Sequence, residues 1–165
     1  MKQTLIALMQ DHPGVLDRIS SLFRCRSFNI ESLTVGHSET AGISRMTVVV
    51  NCDSEAQQEQ VVKQFLKLVE VTKVIEAVTP EQAVYRELAL IKVAATMETR
   101  PSIIQLVDVF RAQVIDVSAM SLTIEITDTE DRVDSLISLL RPFGIKDLAR
   151  TGRVAMLRGG NGKSS

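Results

Sequence analysis

The chain has 165 residues, with 19 Lys and Arg against 20 Asp and Glu, a formal charge of -1. That balance excludes the clustered positive excess a phosphate-backbone partner requires, so no nucleic-acid partner is expected. With 45% hydrophobic and 24% charged residues, the composition is that of a soluble globular protein holding one ordinary domain or two small ones.

The stretch KQTLIALM is a nearly continuous apolar run and predicts a central strand. It stops at Asp11-His12-Pro13-Gly14, and from there the period changes to that of a helix. Val15, Leu16, Ile19, Leu22 and Phe23 share one face, with Asp17, Arg18, Arg24 and Arg26 on the other. NIESLTVG and ISRMTVVVN read as two strands joined through a Gly-containing turn. Ser54 with Gln57 forms a capping-box pattern. The helix it opens is expected to turn Val61, Val62, Phe65, Leu66 and Val69 inward, and VTKVIEAV closes the half as a strand.

The same order then repeats. LALIKVAAT is a strand, and Pro101 suits the first turn of a helix carrying Ile103, Leu106, Val107 and Phe110. QVIDVS and SLTIEIT are two strands with a tight turn between them. Asp128 or Thr129 can cap a helix bearing Val133, Leu136, Ile137 and Leu140, and GIKDLAR ends the unit. The expected fold class is therefore α+β, two tandem ferredoxin-like βαββαβ domains. Their expected limits are residues 1–78 and 84–158, with a linker over 79–83 and a disordered polar tail over 159–165. Units this small bury thin cores and leave edge strands, which pairing between subunits can cover.

Most catalytic constellations are missing: there is no Walker loop, GxGxxG, HExxH or nucleophile elbow. His12 and His37 are the only histidines, and a metal site would need them to meet Asp11, Glu31 or Cys25 in space, so no metal and no catalytic residue is assigned. Cys25 and Cys52 lack CxxC spacing and are expected as reduced, mostly buried thiols. No apolar run is long enough to span a membrane, and MKQTLIALMQDHPG turns polar too early for a signal peptide, so a cytoplasmic protein without a membrane partner is expected.

The junction at residues 11–16 is the chemically informative stretch. A helix N-terminus presents unpaired N–H groups with partial positive charge behind them. Pro13 stiffens the entry, and Gly14 lets a ligand approach the backbone. The amides of Gly14, Val15 and Leu16 suit a carboxylate, while Asp11 suits an ammonium group. Together they describe a small amino acid. An alternative accounts for the same residues: Asp11 caps the helix and Gly14 only eases the turn.

LFRCRSFNIESLTVG, QDHPGVLDRI and ISRMTVVV closely resemble the N-terminal ACT domain of the regulatory small subunits of acetohydroxyacid synthase (acetolactate synthase). FNIESLTVG is the most specific of these strings; DHPGVL recurs across ACT domains generally. RELALIKV, FRAQVIDVS and DSLISLLRPFGIKDLARTGRVAMLRG resemble the family's C-terminal half, so the likeness runs over residues 1–158. It implies a noncatalytic subunit that binds a catalytic large subunit, raises its activity and confers feedback inhibition by valine or another branched-chain amino acid. The thiamine diphosphate, Mg and usually FAD of such an enzyme would sit on the large subunit, with no cofactor here. The resemblance also implies a homodimer through ACT-domain edges. Its effector site would join Asp11, His12, Pro13, Gly14, Val15 and Leu16 of one copy to Asn29 and Ile30 of the other. A free-standing amino-acid-sensing ACT protein is the alternative function.

Overall fold

The structure, a computed structural model, describes residues 1–77 and 79–159. It divides into two compact units. The first comprises residues 1–85 together with the chain from Arg153 onward, and the second comprises Arg86–Gly152.

The first unit runs β1 (Lys2–Gln10), α1 (Val15–Arg26), β2 (Asn29–His37), β3 (Ile43–Asn51), α2 (Glu55–Leu66) and β4 (Val71–Ala77). Its sheet has the antiparallel order β2-β3-β1-β4, as the ferredoxin-like pattern predicts. Strand alternation explains the packing. Leu5, Ala7 and Met9 of β1 and Met46, Val48 and Val50 of β3 point to one face. There they meet Ile19 and Phe23 of α1 and Val61 and Phe65 of α2. Phe23 sits edge-on to Phe65 with ring centres 5.3 Å apart, an arrangement aromatic pairs favour. Ser54 caps α2, its Oγ accepting from the Gln57 N–H at 3.3 Å. Gln57 Oε1 in turn accepts from the Asp53 N–H at 2.6 Å, closing the capping box one residue earlier than the usual pattern.

The opposite face of this sheet carries Ile6, Ile75 and Ala77, and a short strand read from no periodicity covers it. This strand, β9 (Val154–Leu157), pairs with β5 (Ala83–Ala94), and the Arg158 N–H bonds the Gln82 carbonyl at 2.9 Å. Ala83, Tyr85, Ala155 and Leu157 pack on the sheet. Arg45 donates to the Ala155 carbonyl at 2.8 Å and Arg153 to Thr4 Oγ1 at 2.9 Å. The sequence expectation assigned residues 84–158 to the second domain. The structure groups Arg153–Leu157 with the first because these contacts fall there.

The second unit contains the remainder of β5, then α3 (Arg100–Val109), β6 (Gln113–Val117), β7 (Ser121–Asp128), α4 (Glu130–Leu140), a 3-10 turn (Arg141–Phe143) and β8 (Ile145–Arg150). Its sheet order is β6-β7-β5-β8. Ile91, Ile124 and Ile126 pack under Ile103, Leu136 and Leu140. At one edge, Arg150 holds the buried Glu87 through two hydrogen bonds of 2.6 and 2.9 Å and reaches Asp134 at 2.7 Å. The hydrogen bonds to Glu87, more than those to Asp134, keep the Arg150 guanidinium charged far beyond its already high range.

Several side chains lie elsewhere than their periodicity suggests. Leu16 is 48% exposed, and α2 ends at Leu66, which is itself exposed and leaves Val69 in the following loop at 88% exposure. Cys52 is buried as expected, and burial raises its thiol pKa, but Cys25 is exposed on α1. Gly159 is an exposed turn residue; the rest of the expected tail, 160–165, lies outside the described residues.

Candidate functional site

The loop between β1 and α1 is held at both ends. The Asp11 N–H bonds the Gly42 carbonyl and the Gln10 N–H bonds the Glu70 carbonyl, each at 2.9 Å, while Arg18 pairs with the buried Glu70 carboxylate. Gly14 is the N-cap of α1 and takes a left-handed conformation, φ 92°, which L side chains rarely adopt. That positive φ is the physical reason for glycine here, since the space around its Cα is open.

No side chain caps α1. The first intrahelical bond runs from the Arg18 N–H to the Gly14 carbonyl at 3.1 Å, leaving the Val15, Leu16 and Asp17 amides in the first turn ahead of it. The structure thus removes the reading of Asp11 as a helix cap. Its carboxylate instead meets His37 Nδ1 at 3.1 Å. His12 Nδ1 lies 3.2 Å from the Pro13 carbonyl.

The loop and the first turn of α1 border a cavity of about 170 Å³, lined by Met9, Gln10, residues 11–16, Val35 and Ser44. The arrangement offers amide donors at a helix N-terminus, a carboxylate nearby, and apolar walls from Met9 and Val35. It can receive a small molecule with an anionic group, a cationic group and an apolar part.

Asp11, His12, Pro13, Gly14, Val15 and Leu16 therefore come together around one cavity. Asn29 and Ile30 do not join them within the chain. Asn29 pairs with Asn51, which pairs with Lys2 at the far end of β1, whereas the loop follows Gln10 beside Ile43. Eight residue steps along β1 separate the two ends, roughly 25 Å. Four bordering residues are not among those the sequence points to: Met9, Gln10, Val35 and Ser44. From the sequence, His37 reads as a solvated loop histidine or a metal ligand, not as a partner of Asp11. The alternation of ESLTVGH places Leu33, Val35 and His37 on one face of β2, a signal that could have found two of these residues.

Among the described residues, no three His, Cys, Asp or Glu side chains form a group able to hold a metal ion, and no helix is long and apolar enough to cross a membrane.

Comparison with known proteins assigns the family. Residues 5–73 match the AHAS small subunit-like ACT domain, and residues 86–159 match the profile of the small subunit of acetolactate synthase. The chain belongs to the acetolactate synthase small-subunit family. It is 52% identical over 159 residues to the "Probable acetolactate synthase small subunit" of Archaeoglobus fulgidus, covering 96% of this chain and 98% of that protein. It is 46% identical over 165 residues to the acetolactate synthase small subunit of Bacillus subtilis, covering 100% and 95%. The crystal structure of the small subunit from Thermotoga maritima superposes with a TM-score of 0.90 at 44% identity, covering 96% of this chain and 98% of that one. Membership makes this chain a noncatalytic subunit with an ACT domain, and it accords with the tandem ferredoxin-like architecture.

Proposed function

We propose that this small subunit docks on a catalytic large subunit of acetolactate synthase, raises its activity, and makes it sensitive to valine or another branched-chain amino acid. The thiamine diphosphate, Mg and FAD of the reaction belong, in this reading, to the large subunit. The observation that carries it is the uncapped first turn of α1, opening on a cavity that Asp11 also lines. The effector carboxylate sits on the Gly14–Leu16 amides, its ammonium group near Asp11, and its side chain against Val35 and Met9.

A second copy completes the site. Strand β2 is an edge of its sheet, and Leu33 and Val35 on it are partly exposed, as is Leu16 on α1. An unpaired edge carrying apolar side chains is the surface that subunit pairing covers. Full-length antiparallel pairing of β2 with its own copy sets residue 29 of one strand against residue 37 of the other. That brings Asn29 and Ile30 to the neighbour's loop, which they cannot reach within one chain. Inhibition then requires that the effector favour the less active arrangement of the complex.

Gly14→Asp tests the site by adding a negative charge at the carboxylate cradle. Reconstituted with its catalytic subunit, this variant keeps its activation and loses valine inhibition. Gly14→Ala, which carries the backbone strain without the charge, serves as the control. Inhibition unchanged in Gly14→Asp would exclude the site.

A further inference from the structure

We propose that His37 is a working part of the effector site: it holds the Asp11 carboxylate and gives up a proton when an amino acid binds. The inference rests on the reading of loop 11–16 as an amino-acid site, and it adds a residue and a regulating variable to that site. His37 ends β2, with its side chain 88% exposed, and its Nδ1 lies 3.1 Å from Asp11 Oδ2. Asp11 borders the cavity and is the one acidic residue among its lining residues. An ammonium group entering there approaches a carboxylate that already has a partner.

The charge on that partner decides the outcome. A neutral imidazole donates its Nδ1–H to Asp11 and leaves the carboxylate's full negative charge for the ligand. An imidazolium forms an ion pair, so a second cation then shares one carboxylate and repels the first. Binding therefore favours the neutral form: the imidazolium keeps its Nδ1–H on Asp11 and loses its other ring proton to the buffer. Within one chain, the described elements around His37 supply no competing charged partner, and the paired copy sets the neutral Asn29 against it. Directly opposite it on β3 stands Ser44. Arg45 on the same strand is engaged with the Ala155 carbonyl. In the hairpin, Ser38 Oγ bonds the Ile43 carbonyl at 2.7 Å, and Glu39 is exposed with no ion pair to His37. On the loop, His12 is turned to the Pro13 carbonyl.

The test is calorimetric titration of the full chain with L-valine, with L-leucine and L-isoleucine in parallel, at about pH 6 and about pH 8, the span over which imidazoles change charge. Each titration is run in two buffers of different ionisation enthalpy. Binding is expected to weaken roughly two- to fivefold at the lower pH, the scale of an exposed ion-pair interaction. The heat should depend on the buffer in the sense of proton release. His37→Gln should bind with neither dependence, and Asp11→Asn should lose both although it keeps the histidine. His12→Gln should keep both. Affinity and heat independent of pH and buffer in the natural chain, or a dependence that survives His37→Gln, would overturn the role of His37 and leave the site reading standing. Absence of binding by all three amino acids at both pH values would overturn the site reading and this inference together.

Discussion

The two units present the same junction, a strand leading into a helix, and treat it in opposite ways. In the first, Asp11-His12-Pro13-Gly14 leaves the α1 amides uncapped and turns Asp11 away to His37. In the second, the loop before α3 closes on itself. The Thr96 N–H bonds Thr99 Oγ1 at 2.9 Å, the Thr99 N–H bonds Thr96 Oγ1 at 3.2 Å, and Pro101 follows in the first turn. These hydroxyls bond amides that precede the helix, and α3, like α1, has no side-chain cap; the difference lies in the loop, tied by two threonines in the second unit and open around Gly14 in the first. A ferredoxin-like scaffold thus provides a helix N-terminus in each unit, and the loop ahead of it differs in composition and internal bonding. Among the described helices, α2 alone carries a side-chain cap. Ser54 and Gln57 serve the entry to α2, and Asp128 Oδ1 accepts the Thr129 N–H at 2.7 Å before α4.

The most forceful way to break the comparison is to damage the second unit and ask whether the first still binds. Arg150→Met leaves the Glu87 carboxylate, 4% exposed, without its cation. Stranding a buried charge costs about 3–5 kcal/mol. Urea unfolding should show that loss, while valine affinity of the folded protein, followed by calorimetry, stays the same.

Next in size is Gly14→Asp, which should lower valine affinity by at least about tenfold through charge repulsion at the helix N-terminus. Its unfolding free energy should fall only by the backbone strain of the left-handed position, about 1–2 kcal/mol, read by denaturant unfolding.

Thr99→Ala sharpens the contrast from the other side. It removes the hydroxyl that accepts the Thr96 N–H and should cost about 0.5–1.5 kcal/mol of stability, measured by denaturant unfolding, without changing valine affinity.

The smallest effect concerns Asp128. Burial pushes its pKa up, but the Thr129 amide and the Arg132 guanidinium outweigh that and hold it below the usual carboxylate range. A depressed folded-state pKa gives stability that is present above the unfolded value and lost as pH falls through the folded one. Acid unfolding of Asp128→Asn should therefore be flatter below about pH 4 than that of the natural chain, by a few tenths of a kcal/mol.

Much of this contrast is legible in the residues. The apolar stripe of Val15, Ile19 and Phe23, the Ser54–Gln57 box and the alternating strands follow from periods of 3.6 and 2, so the element order could be read directly. Strand β9 could not. It is four residues long, and its partner strand β5 begins some seventy positions earlier, so no local pattern announces it. Leu16, Leu66 and Val69 show a related limit, because an apolar residue at helical spacing does not reveal whether its face meets the sheet, an edge or a loop. For the site, loop 11–16 stood out because Pro13 and Gly14 interrupt two periodic segments. Val35 and Ser44 did not, because they border the cavity from strands paired across the sheet. The pairing of Asp11 with His37 joins residues 26 positions apart through the register of β2 on β3, which only the folded sheet reveals.

Amide NMR of the full chain titrated with L-valine tests the central claim most directly, since both loops report in one spectrum. The account predicts saturable shifts at Gly14, Val15 and Leu16, together with Asn29 on the paired copy, and none at Thr96, Thr99 or Arg100. Shifts confined to the second loop, or a first loop that stays silent at saturation, would contradict it.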